Sequence, residues 1–314
     1  MGSKEKVYIA GHTGLIGKSV HASFKNSGFE VCVKTSAELD LRNTEHVQKY
    51  LGDEMPTGII FCAARVGGIG ENVANPLEMI TENIEMQYSV LKTARNLKIK
   101  KLIFISSAAV YPARNAVNKE VDLLTGSPSP EHIQYALAKI SGMEYVKWIR
   151  ENDHFDWISV IPNNIYGEND RWDENRSHVI ASLIMKIVKA KESGESKIPV
   201  WGSGKAKREF MHADDAGNAI LEIYNSLENA KYDRYNLGSQ QEFSIEQLAS
   251  ILGEICEYKG SFVFDKSMPE GPTRRMLDNQ RFREFINWET SVSFRDGLVR
   301  SVNKYMELRS TSKA

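Results

Sequence analysis

Cysteine is scarce and scattered in this chain. The 314 residues contain three, Cys32, Cys62 and Cys256, with no Cys-x-x-Cys pair, so neither a disulfide framework nor a thiolate metal centre is predicted. Cys62 lies inside the apolar run GIIFCA (58–63) and reads as a small buried thiol. No stretch of 18 apolar residues occurs, and the opening MGSKEK lacks the apolar core of a secretion signal. It also misses the myristoylation pattern, which needs Ser or Thr where Lys6 stands. These absences predict a cytoplasmic chain with no membrane partner and no metal. An excess of one charge is missing too. The 40 basic and 41 acidic residues leave a net charge of −1, whereas a nucleic-acid-binding chain would show a basic surplus. Nucleic acid is therefore excluded as the main partner, but a local basic cluster for a smaller phosphate is not. Internal repeats, heptads and low-complexity tracts are absent as well. At 41% hydrophobic and 26% charged residues, the composition fits a globular protein of one large or two moderate domains.

What is present is an alternation of short β-branched runs with longer helical patterns. Strands are predicted at 6–10, 30–33, 58–63, 101–106 and 157–161, and helices at 15–26, 43–51, 76–97, 133–150 and 179–192. Asn43 or Thr44 could cap the second helix. Such alternation predicts an α/β fold with a parallel sheet covered on both faces. The pattern changes after Gly167, where a polar segment leads into less regular elements. A nucleotide-binding half (1–166) is expected, followed by a smaller α/β half (167–314) for substrate, with segments at about 205–240 packing back onto the first.

The end of the first strand carries Gly11, Gly14 and Gly17 in VYIAGHTGLIGKSV. Glycines there let the backbone turn sharply and approach a pyrophosphate at the N-terminus of the next helix. A glycine-rich turn can be merely structural, but its place between a strand and a helix favours dinucleotide binding and a Rossmann-like, doubly wound sheet. The end of the second strand then bears on NAD against NADP. NAD sites usually place an acid there for the ribose 2′-hydroxyl. Here the chain reads Val31-Cys32-Val33-Lys34-Thr35-Ser36, and an ammonium with two hydroxyls suits a 2′-phosphate. An exposed surface lysine is the plain alternative, and the balance favours NADPH/NADP⁺.

Tyr135 and Lys139 stand four residues apart in a helical pattern, which puts both on one face. Tyr-x-x-x-Lys is common by chance, but Ser106-Ser107 follows directly on the strand KLIFI, at the sheet edge where ligands bind in such folds. This order of glycine loop, strand-end serine and Tyr-x-x-x-Lys resembles the extended short-chain dehydrogenase/reductase family. That resemblance implies Tyr135 as general acid or base. Lys139 would lower the tyrosine's proton affinity and bind the nicotinamide ribose, and Ser107 would bind the substrate oxygen. Tyr111, four residues after Ser107, selects Ser107 over Ser106.

The resemblance narrows along the rest of the chain. Ala63-Ala64-Arg65-Val66-Gly67-Gly68-Ile69, ENIEMQ, Asn163-Asn164-Ile165-Tyr166-Gly167, Ser177-His178-Val179-Ile180, Val200-Trp201-Gly202-Ser203-Gly204, Arg208-Glu209-Phe210, Pro269-Glu270-Gly271 and Met276-Leu277-Asp278 occur in the order seen in GDP-L-fucose synthases. Members of that family bind NADPH and a GDP-4-keto-6-deoxy-hexose, epimerise C3 and C5, and reduce C4. The resemblance implies a GDP-sugar substrate and a homodimer through the 76–97 and 133–150 helices. On the cofactor side it implies the loop Gly11, His12, Thr13, Gly14, Leu15, Ile16 and Gly17. It adds Lys34, Asp40, Leu41, Ala63, Ala64, Arg65, Ile105, Ser106, Tyr135, Lys139, Pro162, Asn163, Ile165 and His178. On the substrate side it implies Val66, Gly67, Ser107, Ala108, Ala109, Asn164, Val179, Lys186, Trp201, Arg208 and Asp278, with His178 also catalytic. Lys186 and Arg208 suit a diphosphate, Trp201 a guanine or sugar face, and Asp278 a ribose hydroxyl. A core tryptophan, a capping aspartate and solvated basic residues are the plain alternatives.

One departure stands out. The family reads Ser-Ser-Cys-x-Tyr-Pro, and its cysteine is a proton partner in epimerisation. This chain reads Ser106-Ser107-Ala108-Ala109-Val110-Tyr111-Pro112, which puts Ala109 or Ala108 at that place. The C3 and C5 protons are acidic because both carbons flank the C4 ketone, and inversion needs a base on one face and an acid on the other. A methyl group cannot exchange protons. Hydride transfer to C4 needs only Tyr135 as proton donor. The expectation is therefore a C4 reductase of a GDP-4-keto hexose or heptose with little or no epimerase activity. A complete bifunctional synthase is the nearest rival. An epimerase or dehydratase, and a silent NADP sensor or scaffold, are further alternatives; sensors commonly lose the tyrosine or lysine, and both are kept here.

Overall fold

The computed structural model describes residues 4–114, 116–173, 176–268 and 271–313. The chain runs β1 (Lys6–Ala10), α1 (Leu15–Asn26), β2 (Glu30–Cys32), α2 (Thr44–Glu54), β3 (Gly58–Phe61), α3 (Ile69–Ala74), α4 (Pro76–Asn96) and β4 (Lys101–Ile105). It continues with β5 (Ala116–Asn118), α5 (Ile133–Asp153), β6 (Asp156–Pro162), β7 (Asn164–Tyr166), α6 (Val179–Ser193), β8 (Lys197–Trp201) and β9 (Lys207–His212). Then follow α7 (Ala213–Asn225), β10 (Arg234–Leu237), β11 (Glu242–Ser244), α8 (Ile245–Ile255), β12 (Ser261–Asp265), β13 (Arg274–Leu277), α9 (Gln280–Phe285) and α10 (Phe294–Lys313).

Six strands form one parallel sheet in the order β10-β6-β4-β3-β1-β2. Side chains alternate across a strand, and β1 shows the result. Tyr8 and Ala10 join a core with Val47 and Leu51 of α2, Val90 and Leu91 of α4, and Met143 and Val146 of α5. Val7 and Ile9 join the opposite core with Val20 and Phe24 of α1 and Ile220 and Tyr224 of α7. Both faces being covered, β3 is buried at every residue, which explains its unbroken apolar run. The doubly wound Rossmann-like fold expected from the alternation is the one observed.

Helix ends follow local chemistry. The Asn43 side chain accepts from the His46 N–H at 3.1 Å, so Asn43 rather than Thr44 caps α2. Two helices run three residues beyond their expected ends, to Glu54 and Asp153. Polar residues there conceal the final turn, and the chain leaves each helix at a left-handed residue, Met55 and His154.

The later residues build two further pieces. A mixed sheet runs β11-β9-β13-β5 with β7 beside β9, and β8 pairs with β12. Helices α6, α8 and α10 pack around a third core containing Ile184, Leu252 and Leu298. In contrast, α7 packs against the first sheet and β10 forms its edge beside β6. Among the described residues, no helix is long and apolar enough to cross a membrane, and no group of three His, Cys, Asp or Glu side chains could hold a metal.

Candidate active site

The glycine loop joins β1 to α1. Gly11 is left-handed at φ +80°, and a Cβ there would lie 2.6 Å from the Ala63 backbone nitrogen. A Cβ on Gly17 would lie 2.1 Å from the Gly11 carbonyl oxygen. Only glycine fits either place, so the loop folds flat against the end of β3. Thr13 and Gly14 stand exposed at the tip. The first turn of α1, with Leu15 and Ile16, holds no acidic residue, and no side chain caps it. The His12 Nδ1 is buried without a partner. Unclaimed N–H groups, absent side chains and no opposing carboxylate make a cradle that fits a dinucleotide pyrophosphate.

Beyond β2, the charge is less open than the sequence suggests. Lys34 pairs with Glu38 at 3.6 Å, and the Glu38 carboxylate also takes the Thr35 N–H and hydroxyl at 2.8 and 2.7 Å. Asp40 is held by Arg42 at 2.8 Å, and Leu41 is buried in the core. At the ends of the central strands lie Ala63, Ile105 and Pro162, all buried. The Arg65 guanidinium is claimed by Glu71 at 2.9 Å and Glu82 at 2.8 Å, and its backbone N–H and carbonyl are both held by the Asn83 side chain at 3.0 Å, beside Ala64.

Ser106 closes β4 and is buried, while Ser107 stands just past the strand with its hydroxyl accepting from the Ala109 N–H at 3.2 Å. Tyr135 lies in the first turn of α5, and Lys139 follows one turn on. The Lys139 ammonium donates to the Ile105 carbonyl at 2.8 Å and sits 4.8 Å from the Phe104 ring centroid. Burial lowers its proton affinity to about 8. Burial raises that of the Tyr135 phenol, against a smaller opposing hydrogen bond from Ser107. The phenol is thus protonated at neutral pH, the state a proton donor needs.

Ser107 and Tyr135 open onto a cavity of about 890 Å³, while Ser106 and Lys139 are buried behind it. Val66, Gly67, Ser107, Ala108, Ala109, Asn163, Asn164, Ile165, His178, Val179, Lys186, Trp201 and Arg208 all line it beside Tyr135. His178 sits at the start of α6, with Nδ1 3.4 Å from Asp170 Oδ1, and that contact raises its proton affinity. Asn163 donates to the buried Glu209 carboxylate, and Asn164 donates to the Glu209 carbonyl at 2.8 Å. Lys186 reaches the Pro199 carbonyl at 3.1 Å. Trp201, half exposed at the end of β8, forms part of the cavity wall.

Residues 7–238 match the NAD dependent epimerase/dehydratase family. The chain belongs to that family. Among relatives of this epimerase/dehydratase chain, the GDP-L-colitose synthase of Yersinia pseudotuberculosis is 35% identical over 303 residues, covering 96% of this chain and 98% of that protein. The GDP-L-fucose synthase of Escherichia coli K12 is 31% identical over 315 residues, covering 97% and 98%. The GDP-mannoheptose C4 reductase of Campylobacter jejuni, solved with NADP bound, superposes with a TM-score of 0.87 at 27% identity, over 98% of this chain and 99% of that one. The resemblance to GDP-L-fucose synthases is therefore borne out along the whole length.

The geometry separates one expected substrate residue from the rest. Asp278 lies outside the large cavity, on a smaller one of about 340 Å³ with Gln240 and Arg283. Its Oδ1 accepts from the Gln280 N–H at 2.8 Å, an Asx turn just ahead of α9, whose N-cap position is Asn279. Of the Pro269-Glu270-Gly271 motif, Pro269 and Glu270 lie outside the described residues, while Gly271 lines the large cavity. Glu71, Glu131, His132, Arg176 and Arg275 are among the cavity groups the sequence does not announce. His132 is pushed down to about 4 by burial and then by Arg275. Its position three residues before Tyr135 was the one available signal.

Proposed function

We propose that this protein is an NADP-dependent oxidoreductase that reduces the C4 ketone of a GDP-4-keto-(6-deoxy) sugar, hexose or heptose, with little or no 3,5-epimerisation. The observation that carries the reading is the wall of the cavity at Ser107. Ser107 and Tyr135 face the same space, and the adjoining positions are the methyl groups of Ala108 and Ala109. NADPH, when bound, supplies the hydride. Ser107 orients the ketone oxygen, Tyr135 donates the proton that turns the forming alkoxide into a hydroxyl, and Lys139, one turn along the same helix, holds a buried ammonium at the Ile105 carbonyl. The names of the relatives, a colitose synthase, a fucose synthase and a heptose C4 reductase, support a GDP-keto-sugar as substrate.

A bifunctional 3,5-epimerase/4-reductase is favoured by one observation. His132 lines the cavity together with His178, and at about 4 it is a neutral base at pH 7. Incubation with NADPH and GDP-4-keto-6-deoxymannose in D₂O separates the two. A C4-reduced product without deuterium at C3 and C5 is expected, whereas efficient incorporation with GDP-fucose as product sinks the reductase-only reading.

The reading extends to organisation. Residues 1–166, with returning segments at about 205–240, serve as the cofactor half and the remainder of 167–314 as the sugar-nucleotide half. Ile84, Tyr88, Leu137 and Trp148 leave an apolar stripe exposed on α4 and α5, which supports homodimerisation through those helices. Three free cysteines fit a reducing cytoplasm.

A further inference from the structure

Glu71 puts a negative charge into the wall of a cavity suited to an anionic substrate. It lies on α3 and lines the large cavity, with its side chain 8% exposed. Its Oε1 meets the Arg65 guanidinium at 2.9 Å and its Oε2 the Arg176 guanidinium at 3.3 Å. The Arg65 hydrogen bond, against an opposing effect of burial, and then the Arg176 charge hold the carboxyl below its usual range. Glu71 is therefore ionised at neutral pH. Its surroundings are fixed in advance: Asn72 donates to the Gly67 and Gly68 carbonyls at 2.9 and 3.0 Å. A Cβ on Gly67 would lie 2.5 Å from the Glu71 Cβ, so the glycine makes room for the glutamate stem.

The carboxylate stands at the catalytic end of the cavity. Helix α3 packs against Pro130–His132, the turn that leads into Tyr135. Gly68, the N-cap of α3, abuts the other side, where a Cβ would lie 3.2 Å from the carbonyl of Ser177, the neighbour of His178. Lys186, Trp201 and Arg208 come instead from α6, β8 and β9. A diphosphate is repelled by a carboxylate and drawn to those cations, which leaves the uncharged sugar ring to meet Glu71. An ionised carboxyl has about four lone-pair sites. Among the described residues, Arg65, Arg176 and Asn75 engage it, and that leaves room for one hydroxyl. With the C4 oxygen at Ser107 and Tyr135, the ring carbons on either side are C3, which carries a hydroxyl, and C5, which carries carbon.

We propose that Glu71 is a specificity-determining residue that accepts a hydrogen bond from the C3 hydroxyl of the sugar, with Arg176 positioning its carboxylate. This rests on the keto-sugar reading above and deepens it: the substrate is a 4-keto sugar that retains its C3 hydroxyl, and a 3-deoxy sugar is rejected. An ionised acceptor left facing a C–H loses the hydrogen bond and stays desolvated, which is how a polar site excludes an analogue lacking one hydroxyl. The contact also ties the C3 oxygen to one face of the ring, so inversion at C3 would have to break it.

The test is steady-state reduction of GDP-4-keto-6-deoxymannose and of GDP-4-keto-3,6-dideoxymannose, and of the corresponding pair of heptoses, by the full-length protein, Glu71→Ala, Glu71→Gln and Arg176→Gln. NADPH binding checks the fold of each variant. The parent should favour the 3-hydroxy sugar by about 10- to 100-fold in kcat/KM. Glu71→Ala should bring the two sugars within about 3-fold by slowing the 3-hydroxy substrate while leaving the 3-deoxy one near the parent value. Arg176→Gln should raise KM for the 3-hydroxy sugar and spare the 3-deoxy one. A parent without preference, or a Glu71→Ala variant that keeps the parent ratio because both sugars slow equally, overturns the proposal and leaves the keto-sugar reading intact. Reduction of none of the four sugars by the parent overturns both. If Glu71→Ala does not bind NADPH, the ratio in the isosteric Glu71→Gln decides: a fall of at least about 3-fold supports the contact, and an unchanged ratio refutes it.

Discussion

Lys139 offers the sharpest quantitative test, because the charge that serves the active site is held where water cannot reach it. The side chain is 2% exposed, and burial brings its proton affinity from the ordinary 10.5 to about 8. At about 1.4 kcal/mol per pH unit, carrying that proton at pH 7 costs the folded apoenzyme about 3 kcal/mol. Lys139→Met removes the charge but leaves the Ile105 carbonyl without its donor, a loss of about 1–2 kcal/mol. The variant should therefore be about 1–2 kcal/mol more stable than the parent at pH 7, while losing ketone reduction. Between pH 8 and 10 the unfolded lysine still holds its proton and the folded one has released it. Parent stability thus rises with pH by about 1.4 kcal/mol per unit relative to the variant, and its deficit disappears. Urea unfolding of both apoenzymes at one protein concentration, from pH 7 to 9.5, reads this directly. A stability difference that stays constant with pH refutes the reasoning.

Other outcomes follow from the same contacts. Tyr135→Phe should lower kcat for keto-sugar reduction by about 10²- to 10⁴-fold and leave NADPH affinity unchanged by fluorescence titration; unchanged turnover would overthrow the mechanism. Lys34→Ala should lower the NADPH-over-NADH preference about 10-fold, and Glu38→Gln should raise it, since Glu38 neutralises Lys34 at 3.6 Å; steady-state kinetics with both cofactors checks the opposite signs. The kcat/KM profile should fall on the alkaline side near pH 8 as Lys139 loses its proton. Tyr88→Glu with Trp148→Glu should halve the sedimenting mass, placing two carboxylates in the exposed stripe of α4 and α5.

The parts legible in the sequence are those where one segment carries its own reason. The loop from Gly11 to Gly17 is bound by contacts only glycine satisfies, and KLIFI is unbroken because helices cover both faces. Tyr135 and Lys139 share a helix face by spacing alone. What escaped was built by convergence. Arg275 stands beside Arg208 in the cavity wall because β13 pairs with β9, 67 positions earlier in the chain. His132 matters through charges from three other segments. Asp278 followed a motif faithfully, yet the turn into α9 directs its carboxylate to the Gln280 backbone. In α7, the small residues around Gly217 let the helix pack closely against α1, where a Cβ on Gly217 would lie 2.7 Å from the Ser19 backbone.

The edge strand β10 also has a bearing on biosynthesis. Until Arg234–Leu237 has been made, β6 presents an unpaired edge, and until α7 exists the face carrying Val7, Ile9 and Ile103 has only part of its cover. An emerging chain of the first 166 residues would thus contain the glycine loop, the serine, the tyrosine and the lysine, yet expose an apolar face and a strand edge, the conditions for pairing with other chains. Segments distant in sequence are thus interleaved in one sheet during folding. Cofactor-binding competence should consequently arise only after β10, ending at Leu237, has been translated.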